Sequence, residues 1–263
     1  MNRLKWAVVD GWTITLRDLN HWARQPWILL VGLLFPVMIV LMFAYVFSGS
    51  MTVAGGGDYR EFLMPGIFAL TMVFGLEATF TAVATDAQRG VTDRFRSMPM
   101  SQAGVVLGRS GADMLNSAAG LGVLVLCGLL IGWRWHEGPA RALVAVGLLL
   151  LLRFAVLWVG IHLALVLRSP EAVVALQILV WPLGFFSSAF ASPEAMPGWL
   201  GTVVEWNPLS ATAGAARQLF GNPGWGGESW VAQHSLLMAV VWPVVLTAVF
   251  LPLSVRAYGR LNR

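Results

Sequence analysis

The sequence predicts an all-α membrane protein that crosses the bilayer six times, and three observations carry this. Of its 263 residues, 57% are apolar and only 11% charged, with a mean hydropathy of +0.72; a soluble domain has about a quarter of its residues charged. Uncharged or nearly uncharged runs recur six times, each long enough to cross about 30 Å of hydrocarbon at about 1.5 Å per residue. The cationic residues fall in alternate connections between those runs. The expected spans are 27–47, 62–85, 110–132, 142–166, 172–191 and 233–255. Pro36, Pro65, Pro182 and Pro243 lie inside them, as membrane helices tolerate when neighbours satisfy the freed backbone groups. With no internal repeat or low-complexity linker, residues 1–263 read as one domain.

Before the first span, Trp12, Leu16, Leu19 and Ala23 recur at spacings of four, three and four, lining one helical face. Asp10, Arg17, Asp18, His21 and Arg24 fill much of the remainder, and Trp6, Trp12 and Trp22 add amphipathic rings. An interfacial helix over residues 4–24 is expected, although packing against the rest of the protein satisfies the same pattern. The first strong apolar run begins near Trp27, behind 26 residues with charges of both signs. A signal peptide has its short apolar core directly behind a few basic residues, so this run is expected to stay in the mature chain.

Arg3, Lys5, Arg17, Arg24, Arg89, Arg94, Arg96, Arg109, Arg168, Arg256, Arg260 and Arg263 fall on one side, and Arg60, Arg134, Arg141 and Arg217 on the other. Twelve against four is a positive-inside bias that places both termini in the cytoplasm. It also favours an even number of spans. Lys5 is the only lysine, a bias toward arginine that points to a GC-rich bacterial genome and hence a bacterial plasma membrane. The net charge of +4 calls for no nucleic acid, because its distribution follows topology. Cys127 is the sole cysteine and forms no internal disulfide.

The chemistry-bearing motifs are mostly missing. A P-loop needs a lysine beside its glycines to hold nucleotide phosphates, and no glycine loop precedes Lys5. Any ATP chemistry must therefore come from a partner. No His/Cys cluster has metal-ligand spacing, so neither a catalytic site nor a metal site is expected. The rival class is an intramembrane serine hydrolase. Gly108-Arg-Ser110-Gly111 resembles the nucleophile motif of rhomboid proteases, and Ser110 would need a general base within hydrogen-bond reach. His234 lies near the opposite face of the bilayer, which leaves His162 as the candidate. Close packing between membrane helices accounts for the same small residues.

The connection from Asp86 to Ser101 is the most charged stretch. A short helix over 91–97 would present Phe95 as an apolar anchor, ended by Pro99. Such a knob suits docking to another protein; a solvated, orientation-setting loop fits as well.

Here the sequence resembles a family. Arg89-Gly90, Asp93-Arg94-Phe95 and Pro99-Met100-Ser101 look like the cytoplasmic loop of type-2 ABC exporter permeases, with Val91 and Phe95 departing from the usual Gly-Thr pair and leucine. Glu205-Trp-Asn207-Pro208-Leu209-Ser210, followed by Ala215-Ala216-Arg217 and Gly221, resembles the family's motif before the final span. Within the family, Phe95-Arg96-Ser-Met-Pro99-Met-Ser is most like the daunorubicin-resistance branch. The resemblance implies a permease that pairs with a second copy or a paralogue among membrane lipids. Two cytoplasmic ATPase subunits would bind ATP and Mg beneath it, and this chain would hold no cofactor. Asp86, Arg89, Gly90, Asp93, Arg94, Phe95, Arg96 and Pro99 would form the coupling helix. The cargo would be a hydrophobic or amphipathic compound, namely a drug, antibiotic or lipid-like molecule, with a lipid-linked glycan or lipid as the alternative.

The roughly forty residues between spans five and six follow the same logic. Asn207 suits an N-cap, Pro208 a first helical residue and Gly221 a left-handed helix end. Leu200, Val203, Val204 and Trp206 predict a short helix before it. The family resemblance implies that the pair, with Glu205 and Arg217, is re-entrant, dipping into the outer leaflet.

Two charges fall inside spans, Glu77 in the second and Arg153 in the fourth, where a lone charge costs several kcal/mol. From the outer ends they lie about 22 Å and about 16 Å deep, a gap that an arginine can bridge. An ion pair, a polar lining of the translocation path, or a lock between two helices each satisfies this. Asp113 and Asn116 near the inner end of span three suit an inward-facing entrance or helix packing equally.

Overall fold

The computed structural model describes residues 26–49, 53, 56–88, 102–224, 227 and 229–260. The expected interfacial helix over 4–24 and the loop residues Arg89, Gly90, Asp93, Arg94, Phe95, Arg96 and Pro99 lie outside the described residues. Among those described the chain is helical, without a strand. In order come α1 (Pro26–Leu41), which passes into a π-helical turn at Met42–Phe47, α2 (Tyr59–Gln88), α3 (Gln102–Leu130) and α4 (Gly138–Leu167). Then follow α5 (Val173–Phe185), the short helices α6 (Gly198–Glu205), α7 (Pro208–Phe220) and α8 (Trp230–Gln233), and finally α9 (Ser235–Arg260).

Four helical stretches are long and apolar enough to cross a bilayer: Tyr59–Gln88, Ser110–Leu130, Gly138–Leu167 and Ser235–Tyr258. Two others, Gly32–Phe47 and Val173–Phe185, are apolar but shorter. Helix is what a lipid environment demands, because it satisfies every backbone group within the segment. The fifth expected span needs correction. The hydropathy reading extends it over 172–191, but α5 has 13 residues, about 20 Å of helix. It ends at Phe185, where the Phe186 N–H turns back to the Pro182 carbonyl at 2.6 Å. Apolarity continues past that point, which hides the helix end from a hydropathy reading.

The centre of the bundle is α4, packed most extensively on α2 and α9. Leu149, Leu152, Ala155, Leu157 and Ala164 of α4 are wholly buried. From α2, Leu63, Met64, Phe68 and Phe80 bury equally deeply. Removing such a leucine or phenylalanine would cost about 2–5 kcal/mol. α7 lies across one end of this core, touching α2, α4 and α9, while α5 rests on α2. The α4–α5 turn is tight, and Arg168 takes the left-handed conformation (φ 54°) to cap α4.

Candidate functional site

Helical periodicity separates two polar centres on α2. Gly75 and Thr79, four residues apart, face α4; Glu77 is about 200° around the helix from Gly75 and faces elsewhere. At the first centre the Arg153 guanidinium is buried and bonded on two sides. Its Nη2 donates to Asp113 Oδ1 at 2.6 Å and to Thr79 Oγ1 at 2.7 Å, and its Nε to Ser117 Oγ at 2.8 Å. The Thr79 hydroxyl lies 2.5 Å from Asp113 Oδ2. Asp113 and Ser117 sit one turn apart on α3, so α2, α3 and α4 meet in one ion-paired network. A β-carbon on Gly75 would come within 2.8 Å of the guanidinium carbon, so glycine makes room for the arginine. Arg153 Nη1 is buried without a hydrogen-bond partner. Asn116 is not drawn into the network.

The pairing of Glu77 with Arg153 is therefore corrected: Arg153 pairs with Asp113. Depth along the helices permitted the first pair, but direction around α2 forbids it. Glu77 instead turns toward α5, accepting from Gln177 Nε2 and from Trp181 Nε1, each at 3.0 Å. Aromatic rings surround this second centre. Trp181 stacks on Phe74 at 5.5 Å and meets Phe35 at 5.2 Å between centroids. Neither Gln177 nor Trp181 was singled out from sequence, although their spacing of four places both on one face of α5.

At the end of the bundle where α5 and α7 meet, polar side chains tie the helices together. Asn207 bridges two helices: its Oδ1 accepts from the Leu209 N–H at the start of α7 (2.9 Å), and its Nδ2 donates to the Leu183 and Phe186 carbonyls at 2.7 and 2.8 Å. The last two are among the carbonyls that the end of α5 leaves without intrahelical partners. Pro208 opens α7, and Gly221 closes it at φ 71°. Arg217 is buried without a carboxylate partner among the described residues. It donates to Phe62 O (2.8 Å) and Ser188 O (2.7 Å), and its guanidinium lies 3.8 Å from the Phe62 ring centroid. Glu205, at the end of α6, lines a cavity of about 520 Å³ with Ser210, Gln218 and Gln233.

The remaining candidates separate from these centres. Ser110 is buried on α3. His162 packs its ring on Phe250 of α9, and its Nδ1 is buried without a hydrogen-bond partner. Asp86 stands in the last turn of α2, while the rest of the expected coupling loop is outside the described residues. Among the described residues no cluster of His, Cys, Asp or Glu is placed to hold a metal ion.

A helical bundle with ion-paired charge between long apolar helices defines a polytopic membrane protein. The chain belongs to the ABC-2 type transporter family, whose profile matches residues 10–220. It is 34% identical to a daunorubicin resistance ABC transporter permease protein of Streptomyces coeruleorubidus, over 87% of this chain and 78% of that one. It is 30% identical to a doxorubicin resistance ABC transporter permease protein of Mycobacterium tuberculosis, over 75% and 68%. A putative transport permease of Cyanophora paradoxa is 27% identical, over 77% and 71%.

Proposed function

We propose that this chain is the membrane-spanning subunit of an ATP-driven exporter in a bacterial plasma membrane, with both termini cytoplasmic. It would move a hydrophobic or amphipathic compound out of the cytoplasm or inner leaflet. Family membership carries the reading; with no P-loop lysine in this chain, ATP and Mg would be held by two separate ATPase subunits. The similar permeases are named for resistance to daunorubicin and doxorubicin, which favours a drug or antibiotic over a lipid-linked glycan as cargo. Coupling would run through residues 86–101, with Phe95 seated in a groove of the ATPase. Two permeases, alike or paralogous, would form the path, with the hairpin of α6 and α7 dipping into the outer leaflet.

The test is a mild-detergent pull-down of the tagged chain from its native membrane, with stoichiometry by mass spectrometry. Recovery of a P-loop ATPase in a two-to-two complex is expected. Recovery of the chain without any ATPase, under conditions that preserve comparable complexes, would sink ATP coupling.

A further inference from the structure

We propose that the cavity between α6, α7 and the start of α9 holds the headgroup of a lipid with a primary ammonium, a phosphatidylethanolamine, whose acyl chains lie along α9. The inference rests on the export reading only for the choice of leaflet, because that reading turns this end of the bundle outward.

The cavity, of about 520 Å³, has the size of a small-molecule site. Helical periodicity aims one face of α7 into it: Ser210, Gly214 and Gln218 recur at a spacing of four and all line the wall. Arg217, about 100° around the helix from Gln218, points instead toward α2, where its guanidinium is buried against Phe62. A β-carbon at Gly214 would come within 3.3 Å of the Ser235 side chain, so glycine lets α7 and α9 approach there. Glu205 is the only charged side chain among the described residues that line the cavity. None of the ion pairs among the described residues includes it. Gln218, Gln233, Ser210 and Ser235 surround the same space with neutral oxygens. A cavity with one carboxylate and no cation of its own favours a positive group.

The lining narrows which positive group. A primary ammonium donates through three N–H bonds, and a carboxylate ringed by amide and hydroxyl oxygens supplies acceptors for them. A quaternary ammonium has no N–H to donate and is held by aromatic faces, but no aromatic ring is among the described lining residues. An anionic head would meet Glu205 with no arginine or lysine among those residues to offset the repulsion. The surface beside the cavity separates a lipid from a soluble amine. Ser235 lines the cavity and opens α9. Leu237, Val241 and Val244 then recur at spacings of four and three as an exposed apolar stripe, with Leu236 and Val240 exposed beside it. α9 is long and apolar enough to cross a bilayer, so the stripe leads from the cavity into hydrocarbon. A molecule with an ammonium at one end and acyl chains at the other satisfies both surfaces, its phosphodiester staying at the cavity mouth. A soluble amine satisfies only the first.

The test uses the full-length chain without any ATPase, so that its failure leaves the ATP-coupling question to the pull-down. Native mass spectrometry of the chain released from detergent micelles counts bound lipid during titration with phosphatidylethanolamine, phosphatidylcholine or phosphatidylglycerol of matched acyl chains. Phosphatidylethanolamine should bind about fivefold or more tightly than either of the others. Glu205→Gln, which keeps the shape and removes the charge, should abolish most of that preference while phosphatidylcholine binding holds within about twofold. A second measurement needs no variant. Phosphatidylethanolamine with a photoreactive group on its acyl chain should cross-link to residues 235–244 of the wild-type chain, mapped by mass spectrometry. Glycerophosphoethanolamine, the same head without chains, should not displace it at equal concentration. Equal binding of the three lipids, or a preference for phosphatidylethanolamine that survives in Glu205→Gln, would overturn the proposal. So would cross-links confined to other helices, while displacement by glycerophosphoethanolamine would replace the lipid with a soluble amine.

Discussion

Breaking the Arg153–Asp113 pair should destabilise the bundle far more than removing Glu77, and a pair of double-mutant cycles measures the difference. Arg153→Met deletes three side-chain hydrogen bonds, to Asp113, Thr79 and Ser117. Hydrogen bonds between membrane helices average about 0.6 kcal/mol each, so these account for roughly 2 kcal/mol. The variant also strands the Asp113 carboxylate, whose side chain is 19% exposed, and breaking a buried pair costs about 3–5 kcal/mol. The larger figure is an upper bound here, because partial exposure lets water and lipid headgroups relieve the orphaned charge. The expected loss is therefore about 2–5 kcal/mol, read as unfolding free energy by denaturing-detergent titration in mixed micelles. Asp113→Asn with Arg153→Met should show coupling of about 1 kcal/mol or more, whereas Glu77→Gln with Arg153→Met should be additive within about 0.5 kcal/mol. Coupling between Glu77 and Arg153 as large as that between Asp113 and Arg153 would refute the assignment.

Other expectations follow from single contacts. Asn207→Ala should cost about 1–2 kcal/mol or more, because one residue caps α7 and satisfies two carbonyls at the end of α5; an unchanged unfolding midpoint would count against the bridge. Gly221→Ala should destabilise the cap by about 1–2 kcal/mol, since its φ of 71° is left-handed and the added β-carbon would come within 2.8 Å of Glu137 Cγ. A thermal shift in detergent checks it. Ser110→Ala should leave ATP-linked transport unchanged, and loss of a serine-directed probe signal together with transport would revive the hydrolase. Phe95→Ala should reduce ATPase recovery or ATP-linked transport, and unchanged values for both would remove its docking role.

Much of the architecture was legible because lipid leaves few options: composition gave the class, apolar runs located the helices, and the turn chemistry of Asn207, Pro208 and Gly221 located α7 to the residue. What escaped was information that one-dimensional patterns hold poorly. The end of α5 at Phe185 is set by where Asn207 reaches the carbonyls of Leu183 and Phe186, 24 and 21 residues earlier in the chain. The π-helical turn of Met42–Phe47 keeps the apolarity of an ordinary helix and leaves no compositional mark. Arg217 read as one of the few outer cations, yet it is buried and held by backbone carbonyls.

The fate of the two intramembrane charges is the sharper lesson about reading function. Depth alone left a Glu77–Arg153 pair open beside a polar lining of the path, and a pair would have given both a structural reason to exist. Azimuth decides otherwise, because residues 75 and 79 share a face of α2 that residue 77 does not. Arg153 then has its counter-charge on α3, and its burial beside Gly75 fits a clamp that holds three helices together. Glu77 is left with oriented neutral donors and a wall of rings, which stabilise the bundle less than an ion pair would. A bundle needing only cohesion loses little and avoids a desolvation cost by placing glutamine at position 77.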